Sequence, residues 1–316
     1  MAKTRIFFAT DLHGSEKCFR KFVSAGKFYD ANVLIVGGDI TGKMIIPIVK
    51  QADSSFTAEL FCVKRLVKQE KELLALEDDI RNSGFYPYRA DLEEMRLLTN
   101  ETKVDELFSR LMVQTLERWV ELAEKHLKNT GIKCFIMPGN DDSLVVDSVI
   151  EKSDFVVNPE GKSVWVDDHH EMISTGYANI TPFDCPRDIP EEELAKKIEA
   201  MATQVKDMNN CIFNFHCPPY DTQLDPAPKL DGNLKPVVSG GNVVMCPAGS
   251  TSVRSAIEKY QPLLGLHGHI HESRGIFRIR RTICLNPGSE YTEGYLRGAI
   301  VNLDRDKVES YTLTSG

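Results

Sequence analysis

Short apolar runs of strand length recur along the chain, at 5–9, 33–36, 133–137, 154–157, 163–166, 171–175, 211–215, 263–266, 276–279, 282–285, 296–303 and 308–313. Runs of this length bounded by turn residues read as β-strands. The early ones are almost continuously apolar, as strands covered on both faces are. Between the first two, Cys18, Phe19, Phe22 and Val23 fall at helical spacing, with Ser15 placed to cap the start and Gly26 to stop the end. That order predicts a β-α-β unit with parallel strands and a right-handed crossover.

The character changes over 51–130. Segments 56–80 and 90–127 are rich in Leu, Glu, Lys and Arg, with Leu107, Leu111, Val113 and Leu116 near helical spacing. Asn82-Ser83-Gly84-Phe85-Tyr86-Pro87 separates them. The pattern predicts a helical hairpin inserted into the α/β core, as an amphipathic pair packed on that core or as a cap or dimerisation arm for a homo-oligomer. Segment 186–202 reads as a helix that opens on acids, and the Pro- and Gly-rich stretch 218–250 as a long irregular loop of the kind that carries function. The whole reads as a single domain, 1–316, with the insertion inside it.

Composition narrows the function classes. Thirty-eight Lys and Arg against 46 Asp and Glu give a net charge of −8, which excludes a general nucleic-acid coating protein but leaves a nucleotide open as a small substrate. No apolar run reaches the roughly 18 residues that cross a bilayer, and the apolar part of the start, 6–9, is too short for a signal peptide. Eight cysteines lie scattered, with no Cys-x-x-Cys, and most fall in apolar runs. Reduced, buried thiols in a cytoplasmic protein are the expectation.

The chemistry lies where strands end. Five apolar runs lead directly into polar donors: Asp11-Leu12-His13-Gly14, Gly37-Gly38-Asp39, Pro138-Gly139-Asn140-Asp141-Asp142, His216-Cys217-Pro218-Pro219, and His267-Gly268-His269-Ile270-His271. In α/β sheets ligands gather at the carboxyl ends of strands, so these five ends are expected to share one pocket. Asp11, His13, Asp39, Asn140, His216, His269 and His271 are too many ligands for one catalytic ion with an open position. With one carboxylate shared, they suffice for two. Imidazole and oxygen donors without thiolate suit divalent transition metals, Mn first among Fe, Zn, Co and Ni, over Ca or Mg.

These blocks, taken together and in this order, resemble the calcineurin-like metallophosphoesterase superfamily. The resemblance implies a four-layer α/β/β/α sandwich of two mixed β-sheets flanked by helices. It implies that Asp11, His13, Asp39 and His271 hold one metal and that Asp39, Asn140, His216 and His269 hold the other, with Asp39 bridging. Two cations about 3.5–4 Å apart bind a bridging water as hydroxide, which attacks phosphorus in line.

Two departures bear on mechanism. The family commonly has a His directly after the Asn, which gives a proton to the leaving group or contacts the phosphoryl oxygens; here Asp141 stands there. Asp142 stands where the acid that orients that His is expected. Asp141 and Asp142 are therefore candidate catalytic groups. Asp141 has two readings, a carboxylic acid or an acceptor that fixes the Asn140 amide or a His. As an unpaired anion Asp141 repels an anionic substrate. His267 is a candidate spare donor. Loss of the proton donor penalises alkyl leaving groups most. The expectation is a phosphoesterase that prefers activated phosphodiesters to alkyl monoesters, with small phosphate esters as substrates. The competing classes are a non-catalytic metal-binding scaffold on the same fold and a metal hydrolase of C–N or C–O bonds, which the Gly-Gly-Asp and Gly-Asn-Asp blocks fit poorly. The second departure is the long gap between Asp39 and Asn140, filled by the insertion, which obscures substrate choice.

Overall fold

The computed structural model describes residues 3–316, so Met1 and Ala2 of the expected 1–316 domain lie outside the described residues. Two six-stranded sheets form its centre. The first runs Lys307–Ser315, Arg297–Asp304, Thr4–Ala9, Val33–Gly37, Lys133–Met137, Val156–Val157. Its last four strands are mutually parallel, and its first two are antiparallel. The second runs Gly275–Ile279, Thr282–Asn286, Leu264–Leu266, Ile212–Phe215, Glu171–Thr175, Ser163–Trp165, with its four inner strands parallel and an antiparallel strand at each edge.

Alternation along each strand builds the layers. In Thr4–Ala9, Ile6 and Phe8 enter a core with Met172, Ile212, Leu264 and Leu285 of the other sheet, while Phe7 and Ala9 enter a separate core under the helices. Successive side chains of a strand point to opposite faces, so a strand buried on both sides must be apolar throughout. On the outer face of the first sheet lie the helices Glu16–Phe28, Glu101–Leu127 and Val145–Ile150; on that of the second, Glu191–Ala202 and Thr251–Tyr260. The result is a mixed four-layer α/β/β/α sandwich. Ser15 caps the first helix through its hydroxyl, as expected, but the helix runs past Gly26 to Phe28. The eight cysteines are all unpaired, and among the described residues no helix is long and apolar enough to cross a membrane.

The insertion corrects the sequence reading. It is a small α/β unit, not a helical hairpin. A four-stranded sheet runs Val63–Val67, Phe56–Leu60, Ile45–Lys50, Tyr86–Ala90, and Leu73, Leu76 and Ile80 of the helix Glu70–Asn82 pack on it. Residues 56–67, read as helix, form a β-hairpin that turns at Phe61 and Cys62, both at positive φ. Pairing with Ile45–Lys50 and burial of Ala58 and Leu60 outweigh the helical preference of Leu, Glu and Lys. The expected second helix breaks into Leu92–Leu97 and Glu101–Leu127, where the Asn100 side chain accepts from the Lys103 N–H and restarts it. The stretch 218–250 is irregular with two short strand pairs, Pro226–Pro228 with Met245–Pro247 and Val238–Ser239 with Asn242–Val243.

The long helix packs on the core through Met112, Leu116, Trp119, Val120, Ala123 and Leu127, and one of these contacts is an aromatic stack. The Trp119 and Phe19 rings lie parallel with centroids 4.2 Å apart, and the indole N–H donates to Glu16 at 2.8 Å. Trp119→Ala removes a large buried side chain and leaves a cavity, so it should cost about 3–5 kcal/mol of stability. A urea midpoint that stays within error of the unsubstituted protein would contradict this assignment.

Candidate metal centre

Five strands of the two sheets end at one place, and the turns that follow interlock there. The Asp11 N–H donates to the Gly38 carbonyl, that of His13 to Asp39 and that of Gly14 to Ile40, each at 2.9 Å. This ladder sets Asp11 and His13 beside Asp39. On the second sheet the Gly268 N–H donates to the His216 carbonyl, also at 2.9 Å. Four of the donor residues, Asp11 (φ 54°), His13 (39°), Asp39 (49°) and His269 (69°), have left-handed backbones. Each such non-glycine residue costs of order 1–3 kcal/mol. A Cβ at Gly268 would collide with Thr10 and Asp11, so only glycine lets this turn close onto the first strand.

The seven donors meet. His13 Nε2 lies 3.0 Å from His271 Nε2 and 3.5 Å from Asp39 Oδ2. His271 Nε2 lies 3.4 Å from Asp11 Oδ1. On the other side of Asp39, its Oδ1 lies 3.4 Å from His216 Nε2, and His269 Nδ1 lies 2.9 Å from Asn140 Oδ1. Asp11, His13, Asp39 and His271 form one group whose ligand atoms all lie within 4.8 Å of one another; Asp39, His216 and His269 form a second. Asp39 belongs to both and offers a different oxygen to each. Two ligand atoms that share an ion at about 2.1 Å each lie roughly 3–3.6 Å apart, and the His13–His271, His13–Asp39, His271–Asp11 and Asp39–His216 pairs fall in that range.

Donor chemistry fits cations as well as spacing does. Asp11, Asp39, His13 and His216 are all buried. Gly37's carbonyl can only accept, so His216 Nδ1, 2.9 Å away, donates to it. That leaves Nε2 as the ligand atom, and it is buried with no hydrogen-bond partner. Burial pushes the Asp11 carboxyl up, but the hydrogen bond and charge of His271 outweigh it and bring it down to about 2. Asp39 is held well below the usual carboxylate range by His216 and His13 against the same burial. Burial opposes a charge on His216, yet the Asp39 carboxylate pushes it up to about 10. The buried carboxylates thus favour a proton on His216 and His271, whereas burial pulls His13 and His269 down to about 3 and 4; a divalent cation would satisfy the same negative charge in place of those protons.

Of the three candidate catalytic groups, two do not face this pocket. The Asp142 carboxylate is fully buried and accepts the N–H groups of Ile40 (3.0 Å), Thr41 (2.9 Å) and Gly139 (2.7 Å) and the Thr41 hydroxyl. Its lone pairs are spent on bracing the turn after Asp39, so it positions that turn. His267 is fully buried. Its Nδ1 bonds the Phe215 carbonyl at 2.8 Å, and its Nε2 folds back over Gly265 inside the sheet. It is a packed residue rather than a spare donor.

Asp141 does border the cluster: its N–H donates to Asp39 Oδ1 at 3.1 Å, and its carboxylate is ion-paired with Lys43. It does not fix the Asn140 amide. That role falls to Asp188, whose Oδ1 accepts from Asn140 Nδ2 at 2.9 Å and so turns the amide oxygen toward His269. Lys43, Asp188 and Tyr291, whose ring lies 4.7 Å from that of His13, escape sequence reasoning, because none sits at a strand end or in a spaced motif. Arg187, also unforeseen, is buried and clamps the same turn through the Asp142 and Ser143 carbonyls.

No protein-family model matches the sequence. The uncharacterized protein MJ1162 of Methanocaldococcus jannaschii is 29% identical over 177 residues, 55% of this chain and 70% of its own length. One crystal structure matches over 99% of both chains at 16% identity and a TM-score of 0.59. TT1561 of Thermus thermophilus matches over 100% of this chain and 99% of its own, at 13% identity and a TM-score of 0.55. These likenesses concern the fold.

If Asp188 orients a metal ligand, Asp188→Ala should weaken divalent-cation binding about 10- to 100-fold, the usual effect of losing an outer partner. Competition against a chromogenic chelator measures it, and unchanged affinity would refute the role.

Proposed function

We propose that the chain is a dinuclear metallophosphoesterase acting on small phosphate esters, nucleotides included, and that it turns over phosphodiesters with acidic leaving groups ahead of alkyl monoesters. The observation that carries this reading is the convergence of seven oxygen and nitrogen donors from five strand ends on the two sides of Asp39. These residues would hold two divalent transition-metal ions, manganese foremost, which would supply activation of a water nucleophile and positive charge for the phosphoryl oxygens.

The protein's own part is positioning and charge. Asp39 presents one oxygen to His13 and the other to His216. The Gly37 carbonyl fixes the His216 ring, and Asp188 fixes the Asn140 amide. The braced turns keep these atoms from reorganising as charge moves, which is where electrostatic catalysis gains most. The residue after Asn140 is an acid paired with a lysine. Burial pulls the Lys43 ammonium's pKa down, but the charges of Asp141 and Asp39 outweigh it and hold it above the usual lysine range, so the lysine parts with a proton poorly near neutral pH. Leaving groups that depart as stable anions need no donor.

A panel of an aryl phosphodiester, an aryl monoester and an alkyl monoester, assayed with each of Mn, Fe, Zn, Co and Ni alongside elemental analysis, tests both levels. The expected result is about two metal equivalents per chain and turnover in the order aryl diester, aryl monoester, alkyl monoester. Asp39→Asn should abolish turnover. Alkyl monoesters hydrolysed as fast as the aryl diester would overturn the preference. A protein that takes up no metal and hydrolyses none of the three would overturn the enzyme reading in favour of a scaffold.

A further inference from the structure

We propose that Lys43 is the protein's cationic contact for a non-bridging oxygen of the phosphoryl group, and that Asp141 is the residue that positions it. The inference rests on the phosphoesterase reading above. It gives the substrate-facing task to a residue that enters the site from the segment just before the small sheet's first strand, Ile45–Lys50.

Placement is the first argument. Asp141 stands over the shared carboxylate, bonded to Asp39 Oδ1 through its own N–H at 3.1 Å. Its Oδ2, 3.7 Å from His13 Nδ1, holds the Lys43 ammonium. Exposure is the second. The donors Asp11, His13, Asp39 and His216 are buried, whereas the Lys43 and Asp141 side chains are 38% and 29% exposed. The pair therefore lies on the open side of the centre, where an ester must approach.

Valence is the third. An ammonium carries three donors. Among the described residues the Lys43 ammonium has one hydrogen-bond partner, Asp141, so it retains donors for phosphoryl oxygen. The fourth is rigidity. The Lys43 N–H donates to the Gly84 carbonyl at 3.3 Å, the Gly42 N–H to the Tyr86 hydroxyl at 2.7 Å, and Thr41 is locked to Asp142. The lysine thus leaves a backbone pinned on both sides. Pairing also answers the repulsion expected of Asp141, since its charge is neutralised by the ion that meets the substrate.

The experiment compares the unsubstituted protein with Lys43→Ala, Lys43→Arg, Asp141→Asn and the Lys43→Ala/Asp141→Asn double variant, all manganese-loaded. Elemental analysis gives metal content, calorimetry gives affinity for inorganic phosphate, and an aryl phosphodiester gives kcat and KM. Lys43→Ala should keep its metal, bind phosphate about 10- to 100-fold more weakly and lose a similar factor in kcat/KM, the range for one charge-assisted contact. Lys43→Arg should restore most of both. Asp141→Asn should weaken phosphate binding when Lys43 is present and change it less than about twofold in the Lys43→Ala background, as a residue acting through the lysine must. Phosphate affinity of Lys43→Ala within about twofold of the unsubstituted protein at equal metal content would overturn the assignment, as would tighter binding on Asp141→Asn in both backgrounds. An unsubstituted protein without metal or diester turnover strikes the phosphoesterase reading instead, so the two failures are separable.

Discussion

Two carboxylates, Asp11 and Asp39, are buried at the junction of two sheets, and the centre is organised around balancing their charge. An uncompensated buried charge costs several kcal/mol. The neighbours that answer it are imidazoles, which can meet it by taking up protons or by joining the carboxylates around a cation. Because Asp39 directs one oxygen to each side, the balance is struck twice around a single residue. The sandwich serves this arrangement by ending five parallel strands, three from one sheet and two from the other, at a common edge.

Convergence alone does not hold donors in place. Donor residues in left-handed turns are intrinsically unfavourable. The ladder between the Asp11 and Asp39 turns, the Asp142 carboxylate and the Arg187 guanidinium offset that cost away from the pocket. The acid after Asp141 thus belongs to the scaffold of the site. Its four accepted hydrogen bonds explain why a side chain so close in sequence to the chemistry is turned from it.

The insertion is coupled to this centre through the residues just before its first strand, Ile45–Lys50. Gly42 and Lys43 are bonded to Tyr86 and Gly84, which follow the helix Glu70–Asn82. The small sheet is therefore not an appendage on a finished site; its packing fixes the backbone from which Lys43 reaches Asp141. A chain with an anion in the position after Asn140 needs a compensating cation nearby, and the segment leading into the insertion supplies it.

What the sequence determined by itself is what local pattern encodes. Continuous apolar runs announced strands buried on both faces, their abrupt endings in Asp, Asn and His announced a shared pocket, and the seven donors so identified are the ones the fold brings together. Long-range pairings were decided only by the tertiary structure. Residues 56–67 carry a helical composition, and strand pairing within the insertion overrode it. Asp141 meets a lysine 98 positions away and Asn140 meets an aspartate 48 positions away. No periodicity links such partners, because their contact exists only once separate strands have been laid side by side. For the same reason the direction in which Asp142 and His267 point could not be read from their neighbours in the chain: it depends on which buried hydrogen-bonding groups the folded sheets place around them.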